Sequence, residues 1–133
     1  MIRGFSEVVK TYNAYDVLVE DVFVTSVAKG QTTTLQSDWS HTLGCEITGS
    51  IDSVSLGIKD SITKNFSTTV VFSGPLETSN YNSREYRVKF FENQGTYTAL
   101  AHDDLPGWII KVPISGTFTE PSKYASYSVD KNE

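Results

Sequence analysis

From Leu35 to Ile51 the chain alternates without a break. Odd positions read Leu, Ser, Trp, His, Leu, Cys, Ile, Gly and Ile; even positions read Gln, Asp, Ser, Thr, Gly, Glu, Thr and Ser. A period of two marks a half-buried strand, because successive side chains point to opposite faces of a sheet. Past Asp52-Ser53 the phase inverts. Val54, Leu56, Ile58, Ile62, Phe66, Val70 and Phe72 hold even positions, and Ser, Thr, Lys and Asn fill most odd ones. A two-residue turn near Asp52-Ser53 pairs the arms and brings both apolar stripes to one side. Each arm has about 17–19 residues, or roughly 55–60 Å at ~3.3 Å per residue. An ordinary strand has about 5–6 residues. Residues 32–72 therefore form either one very long hairpin or several shorter strands joined by bends. Gly44, Gly49 and Gly57 are natural bend or bulge points. A helix over 51–66 also runs through Ile51, Val54, Ile58 and Ile62, but Gly57 and the Ser/Thr content disfavour it.

The rest of the chain reads the same way. Residues 5–13 are ambiguous. Phe5, Val8, Val9 and Tyr12 fall at helical spacing, whereas the β-branched content favours a strand. Residues 15–28 are apolar on both faces, which suits a strand in the middle of a packed sheet, and Lys29-Gly30 ends it. After Ser73-Gly74-Pro75, residues 76–83 read as a polar loop. Glu85 to Glu92 alternate, Asn93-Gln94-Gly95 reads as a turn, and 96–102 as the return strand of a hairpin. Asp103 to Gly107 read as a loop. Trp108, Ile110, Val112 and Ile114 read as a further strand, placed at an edge or bulge by Pro113. Residues 120–133 are polar and read as a loosely ordered tail. The expected fold is one all-β domain over residues 1–133. Its architecture is an antiparallel β-sandwich or an elongated sheet carrying the long alternating hairpin.

Size and charge narrow the function classes. A chain of 133 residues buries a core without metals or disulfides. Its net charge of −5 argues against a nucleic-acid partner, because phosphate contacts need clustered Lys and Arg. The one dense basic stretch, Arg84, Arg87 and Lys89, is interrupted by Glu85 and reads as a solvated strand face. The single cysteine, Cys45, excludes an intrachain disulfide and leaves the compartment open. No apolar run approaches the ~18 residues of a transmembrane helix. Met1 precedes polar sequence without a signal peptide, so the chain reads as a mature domain with a start codon added.

No residue set here spells out catalysis, a cofactor or a metal site. His41 and Cys45 share a strand face, but residues four apart on one strand lie about 13 Å apart and cannot pair directly. Both read as core-facing. His102, Asp103 and Asp104 precede Pro106-Gly107 and read as a capped polar turn, lacking the ligand number of a zinc site and the EF-hand spacing. Trp39, Trp108 and Tyr81 suit an aromatic surface for a carbohydrate or a membrane interface, with Tyr86, Tyr97, Tyr124 and Tyr127 as further rings. Core packing is their competing role. Asn65-Phe66-Ser67 matches a glycosylation acceptor.

The run KGQTTTLQSDWSHTLGCEITGSIDSVSLGIKDSITKNFSTTVVFSGP, followed by YNSREYRVKFFENQGTYTAL, resembles small secreted Ser/Thr-rich β proteins of Gram-positive bacteria. At greater distance it resembles the β-pore-forming module of aerolysin-type toxins, in which Ser/Thr-rich amphipathic strands flank a membrane-inserting segment. The resemblance covers roughly residues 20–100 and carries no catalytic or ligand-binding motif. It implies an extracellular or cell-surface protein. The chain is too short to include the receptor-binding module of a complete toxin.

Two functions follow as expectations. One is a non-enzymatic β module that binds a protein, carbohydrate or membrane surface, with homo-oligomerisation through strand edges open to it. The other is membrane insertion as an oligomeric barrel, for which about nine to eleven alternating residues per strand suffice. Asp60 and Lys64 lie on the apolar stripe, where a lipid-facing charge is costly. A segment from Leu43 to Ile58, presenting Leu43, Ile47, Ile51, Val54, Leu56 and Ile58, avoids both.

Overall fold

The flanking segments of the chain become long strands, whereas residues 32–72 form several short strands joined by bends and one helical turn. The computed structural model describes residues 2–105 and 108–133, without the side chains of Arg3, Asp104, Leu105 and Trp108. In chain order the elements are β1 (Ile2–Ala28), β2 (Thr32–Thr33), β3 (Trp39–Gly44), β4 (Glu46–Ile47), α1 (Ser53–Leu56), β5 (Ser61–Phe66), β6 (Phe72–Ser73), β7 (Ser83–Leu105) and β8 (Trp108–Lys131). The fold is all-β. One sheet has the order β1-β7-β8-β4, and two small sheets pair β2 with β6 and β3 with β5.

Four expectations change. Residues 15–28 lie at the sheet's border, because β1 stands at the end of the strand order, beside β7. Being apolar on both faces did not require a central position, since Val19 and Phe23 remain 38% and 47% exposed. Asn93-Gln94-Gly95 is no turn, and β7 runs through it without a break. Asp103 to Leu105 are strand rather than loop, while Pro106 and Gly107 lie outside the described residues. Residues 120–131 are strand, not a loose tail. There Arg84 of β7 reaches Asp130 at 2.7 Å and Lys131 reaches Glu85 at 3.2 Å, so polar sequence is held by cross-strand pairs rather than by burial.

Gly95 has a different task from turning the chain. It is buried, and a Cβ there would run into the carbonyl of Thr11 and the ring of Phe118. Nearby, Asn93 accepts the N–H of Asp16 at 3.0 Å. Asp16 and Glu7 both sit at φ 51°, a left-handed conformation rare for such residues inside a strand. These two sites locally break the regular path of β1, as bulges on border strands do.

Contacts sort the chain into two units, residues 1–17, 43–62 and 92–122, and residues 18–42, 63–91 and 123–133. The first has a core of Ile51, Leu56, Ile58, Tyr97, Ala99 and Phe118, flanked by Phe5, Val8, Tyr12, Cys45, Ile47 and Ile114. In the second, Val24, Val27, Phe72, Val88 and Phe90 are buried. A chain of aromatic contacts joins Trp39 to Phe66, Phe66 to Phe72 and Phe72 to Tyr86, with centroid separations of 5.5, 5.5 and 4.9 Å. Such ring pairs add about 0.5–1.5 kcal/mol each beyond the area they bury.

Candidate functional site

The paired parts of the alternating segment share one register. Thr32 pairs with Ser73 and Thr33 with Phe72. The hydroxyls of Thr42 and Thr63 lie 2.7 Å apart, and the Cys45 N–H donates to the Asp60 carbonyl at 2.7 Å. Each pair is centred between Asp52 and Ser53, where the phase inversion puts it. The faces also follow the sequence. Trp39, His41, Leu43 and, across the pair, Ile62, Lys64 and Phe66 are half-buried, whereas Ser40, Thr42, Ser61, Thr63 and Asn65 are exposed.

Pairing stops short of the centre. β4 leaves β3 and joins β8 instead, with Glu46 opposite Thr119 and Ile47 opposite Phe118. The Thr48 N–H then donates to the Thr117 carbonyl at 3.0 Å, and the Thr117 N–H to the Thr48 hydroxyl at 2.8 Å. Gly49 turns the chain at φ 91°, and a Cβ there would collide with the Tyr97 hydroxyl. Asp52 caps the single turn of α1 by accepting the Ser55 N–H at 2.6 Å, a bond that holds its carboxyl below the ordinary range. Gly57 closes the turn in the left-handed region. The tip is thus a one-turn helix between bends rather than a two-residue turn.

This folding buries most of the candidate contact residues. Ile51, Leu56 and Ile58 are 4%, 1% and 9% exposed, and Leu43 and Ile47 are half-buried. Val54 is the exception at 88% exposed. Burying a side chain of this size stabilises by about 1.5–3 kcal/mol. Polar bonds fasten the same region. Lys10 donates to the Gly57 carbonyl at 2.7 Å, and Glu120 accepts both the Lys59 N–H at 2.8 Å and the Tyr12 hydroxyl at 3.0 Å. The bond from Tyr97 to the Thr48 carbonyl at 2.6 Å is a clamp that no sequence pattern marks.

The remaining candidates have separate partners. His41 Nε2 meets Glu20 at 2.8 Å, and its ring packs on Phe90 at 4.9 Å. Cys45 Sγ is 3.8 Å from Asp60 Oδ1. Burial, and after it the neighbouring Asp60 carboxylate, push the thiol up, which disfavours the reactive thiolate. His102 Nε2 is 2.7 Å from the Ser6 hydroxyl. Among the described residues no group of three or more His, Cys, Asp and Glu side chains is arranged to hold a metal ion. Trp39 is half-buried between Phe66 and His41, Tyr81 is exposed in the loop before β7, and the Trp108 side chain lies outside the described residues. Tyr97 is a core residue.

Sequence reading also missed a cross-strand cluster in the second unit. Arg87 reaches Asp21 at 2.8 Å and Glu85 at 3.1 Å, and Tyr127 donates to Asp21. Lys89 stands 4.6 Å over the Tyr127 ring and Lys123 5.2 Å over that of Phe91. The available signal was the spacing of Arg87, Lys89 and Phe91, and of Lys123, Tyr127 and Lys131, each of which places its members on one strand face. Comparison with protein-family models, curated proteins and solved structures returns no match for this chain.

Proposed function

We propose that the chain is a non-enzymatic β module acting outside the cell, and that the surface it engages is a lipid bilayer entered by the segment Leu43 to Ile58. The observation carrying this reading is the common register of the alternating segment. Continued inward, it opposes Leu43 with Ile62, Ile47 with Ile58 and Ile51 with Val54. A continuous hairpin built on it has an uncharged apolar face from Ile47 to Ile58, made of Ile47, Ile51, Val54, Leu56 and Ile58. It needs no shift of the β3–β5 pairing, and Asp60, level with Cys45, stands at the base of that apolar tip.

Part of the cost of such a change is offset. Moving Ile51, Leu56 and Ile58 from a protein core to acyl chains exchanges one apolar medium for another, so their burial is not lost. The bonds given up are polar: Tyr97 to Thr48, Lys10 to Gly57, Lys59 to Glu120, and the pairing of 46–48 with 117–119. Extending the β3–β5 pairing replaces the backbone part. In a bilayer the outer edges also need partners, so insertion requires several copies closing a barrel.

The test is a reversible lock. Thr48→Cys with Thr117→Cys, in a Cys45→Ser background, ties the tip to β8, since the two hydroxyls are 3.4 Å apart. Dye release from vesicles is expected to stop under oxidation and return on reduction. Equal release in both states, or none in either, sinks the insertion reading.

A second reading is supported by the position of β1. A border strand of 27 residues offers unpaired backbone groups to a protein partner or to a second copy. A stable complex that forms without lipid and is lost on placing proline in β1 would favour it.

A further inference from the structure

We infer that the second unit carries a docking face for anionic lipid headgroups, on the side of β1, β7 and β8 turned away from Phe72, Val88 and Phe90. The proposal rests on the bilayer reading above and names the class of lipid. Strand alternation separates the two sides. Glu20, Phe90 and Tyr124 face the hairpin side, as the contacts of His41 with Glu20 and Phe90, and of Phe90 with Tyr124, require. Asp21, Arg87 and Tyr127, one residue or three residues along their strands, therefore face the other way.

The charge on that face opposes that of the chain. Net charge is −5 overall. Among the described residues, Asp21 and Glu85 stand there with Arg87, Lys89, Lys123 and Lys131, and both carboxylates are engaged. Asp21 accepts from Arg87 and Tyr127, and Glu85 from Arg87 and Lys131. Lys89 and Lys123 lie over aromatic rings. The sequence separates some of these groups by more than a hundred positions; the sheet brings them together.

Beside the cations the same face exposes apolar side chains. Val19, Phe23 and Val129 are 38%, 47% and 39% exposed. Cations with neighbouring aromatic and aliphatic groups match a headgroup layer, where phosphates lie next to the upper acyl chain. A free phosphate would use the cations alone. A single-stranded nucleic acid would use the rings and cations but gain little from Val19 and Val129, so the face suits a bilayer better.

The test is co-sedimentation of the full chain with vesicles of phosphatidylcholine, with and without about one-third phosphatidylglycerol. Binding is expected only with the anionic lipid, and is expected to weaken as salt shortens the screening length. Lys89→Gln with Lys123→Gln should lower the partition coefficient about fivefold per cation removed. Lys89→Arg with Lys123→Arg should restore it. The tip-locked, oxidised protein should bind as well as the unlocked one, because docking precedes insertion.

Equal binding to neutral vesicles, or no effect of the glutamine pair, overturns the inference. So does displacement by millimolar inorganic phosphate, which marks a free-anion site, or a preference for a single-stranded oligonucleotide. Dye release that persists in the glutamine pair refutes docking while leaving insertion standing. Anionic-lipid binding without any release refutes insertion while leaving docking standing.

Discussion

The Tyr97 hydroxyl donates to the Thr48 carbonyl at 2.6 Å, joining the buried face of β7 to the chain just ahead of Gly49. Tyr97 is 2% exposed, and burial pushes its phenol up, so it stays protonated and donating at neutral pH. Tyr97→Phe keeps the ring and removes the bond. The expected loss is about 1 kcal/mol, typical of a single hydrogen bond whose acceptor can turn to water. Urea denaturation measures it. In the vesicle assay the same variant should release dye faster, because a fastening of the tip is gone; an unchanged rate would mean that this bond does not limit detachment.

Gly95→Ala should be much more damaging. Its added methyl group meets a backbone carbonyl, that of Thr11, and the buried ring of Phe118. Neither can give way cheaply inside a packed sheet, so a loss of at least about 1–3 kcal/mol is expected. A midpoint within error of the parent would show that β1 and β7 can part without cost at this point.

Leu56 and Val54 lie two residues apart with opposite environments, 1% and 88% exposed. Leu56→Ala should cost about 2–5 kcal/mol, the range for a large buried side chain that leaves a cavity. Val54→Ser should change stability by less than about 0.5 kcal/mol. If the two substitutions cost the same, the tip is not packed as described.

Periodicity carried the legible part of this fold. The phase inversion at Asp52-Ser53 located the centre of every pair from Thr32–Ser73 to Cys45–Asp60, since face and register are one constraint in a half-buried hairpin. Gly49 and Gly57 were also readable as bends, whereas Gly44 ends β3 as a strand residue. The way the tip folds back was not readable, because it depends on β8 residues some seventy positions away that accept Glu46 and Ile47 as partners. Asn93-Gln94-Gly95 misled for a related reason. Turn chemistry is local, whereas Gly95 answers to Thr11 and Phe118 and Asn93 to Asp16. The polar stretch 120–131 forms strand because its partners, Arg84, Glu85 and Asp21, lie on other strands.

Cys45 should react slowly. Its thiol is pushed up first by burial and then by Asp60, so the thiolate is scarce near neutral pH. Labelling by a disulfide reagent at pH 7.5 should be several times slower than in the urea-unfolded chain. Asp60→Asn removes the smaller cause and should raise the folded-state rate only modestly. A folded rate matching the unfolded one would mean that the hairpin opens at Cys45 on the labelling timescale.

Acid should loosen the second unit. Hydrogen bonds from Tyr127 and Arg87 lower the Asp21 carboxyl, those from Lys131 and Arg87 lower Glu85, and that from Arg84 lowers Asp130. A carboxyl with a folded pKa below its unfolded value binds protons more readily in the unfolded chain, so stability rises with pH across that interval. The contribution is complete above the ordinary carboxylate range of about 4 and is lost as pH falls through the folded values. These groups are partly exposed and screened, so the effect is modest and weaker in high salt. The melting temperature should hold from pH 7 to about 5 and fall towards pH 3. Asp21→Asn with Asp130→Asn should start lower at pH 7 and fall less steeply. Parallel curves for parent and variant would mean that other carboxyls set the acid response.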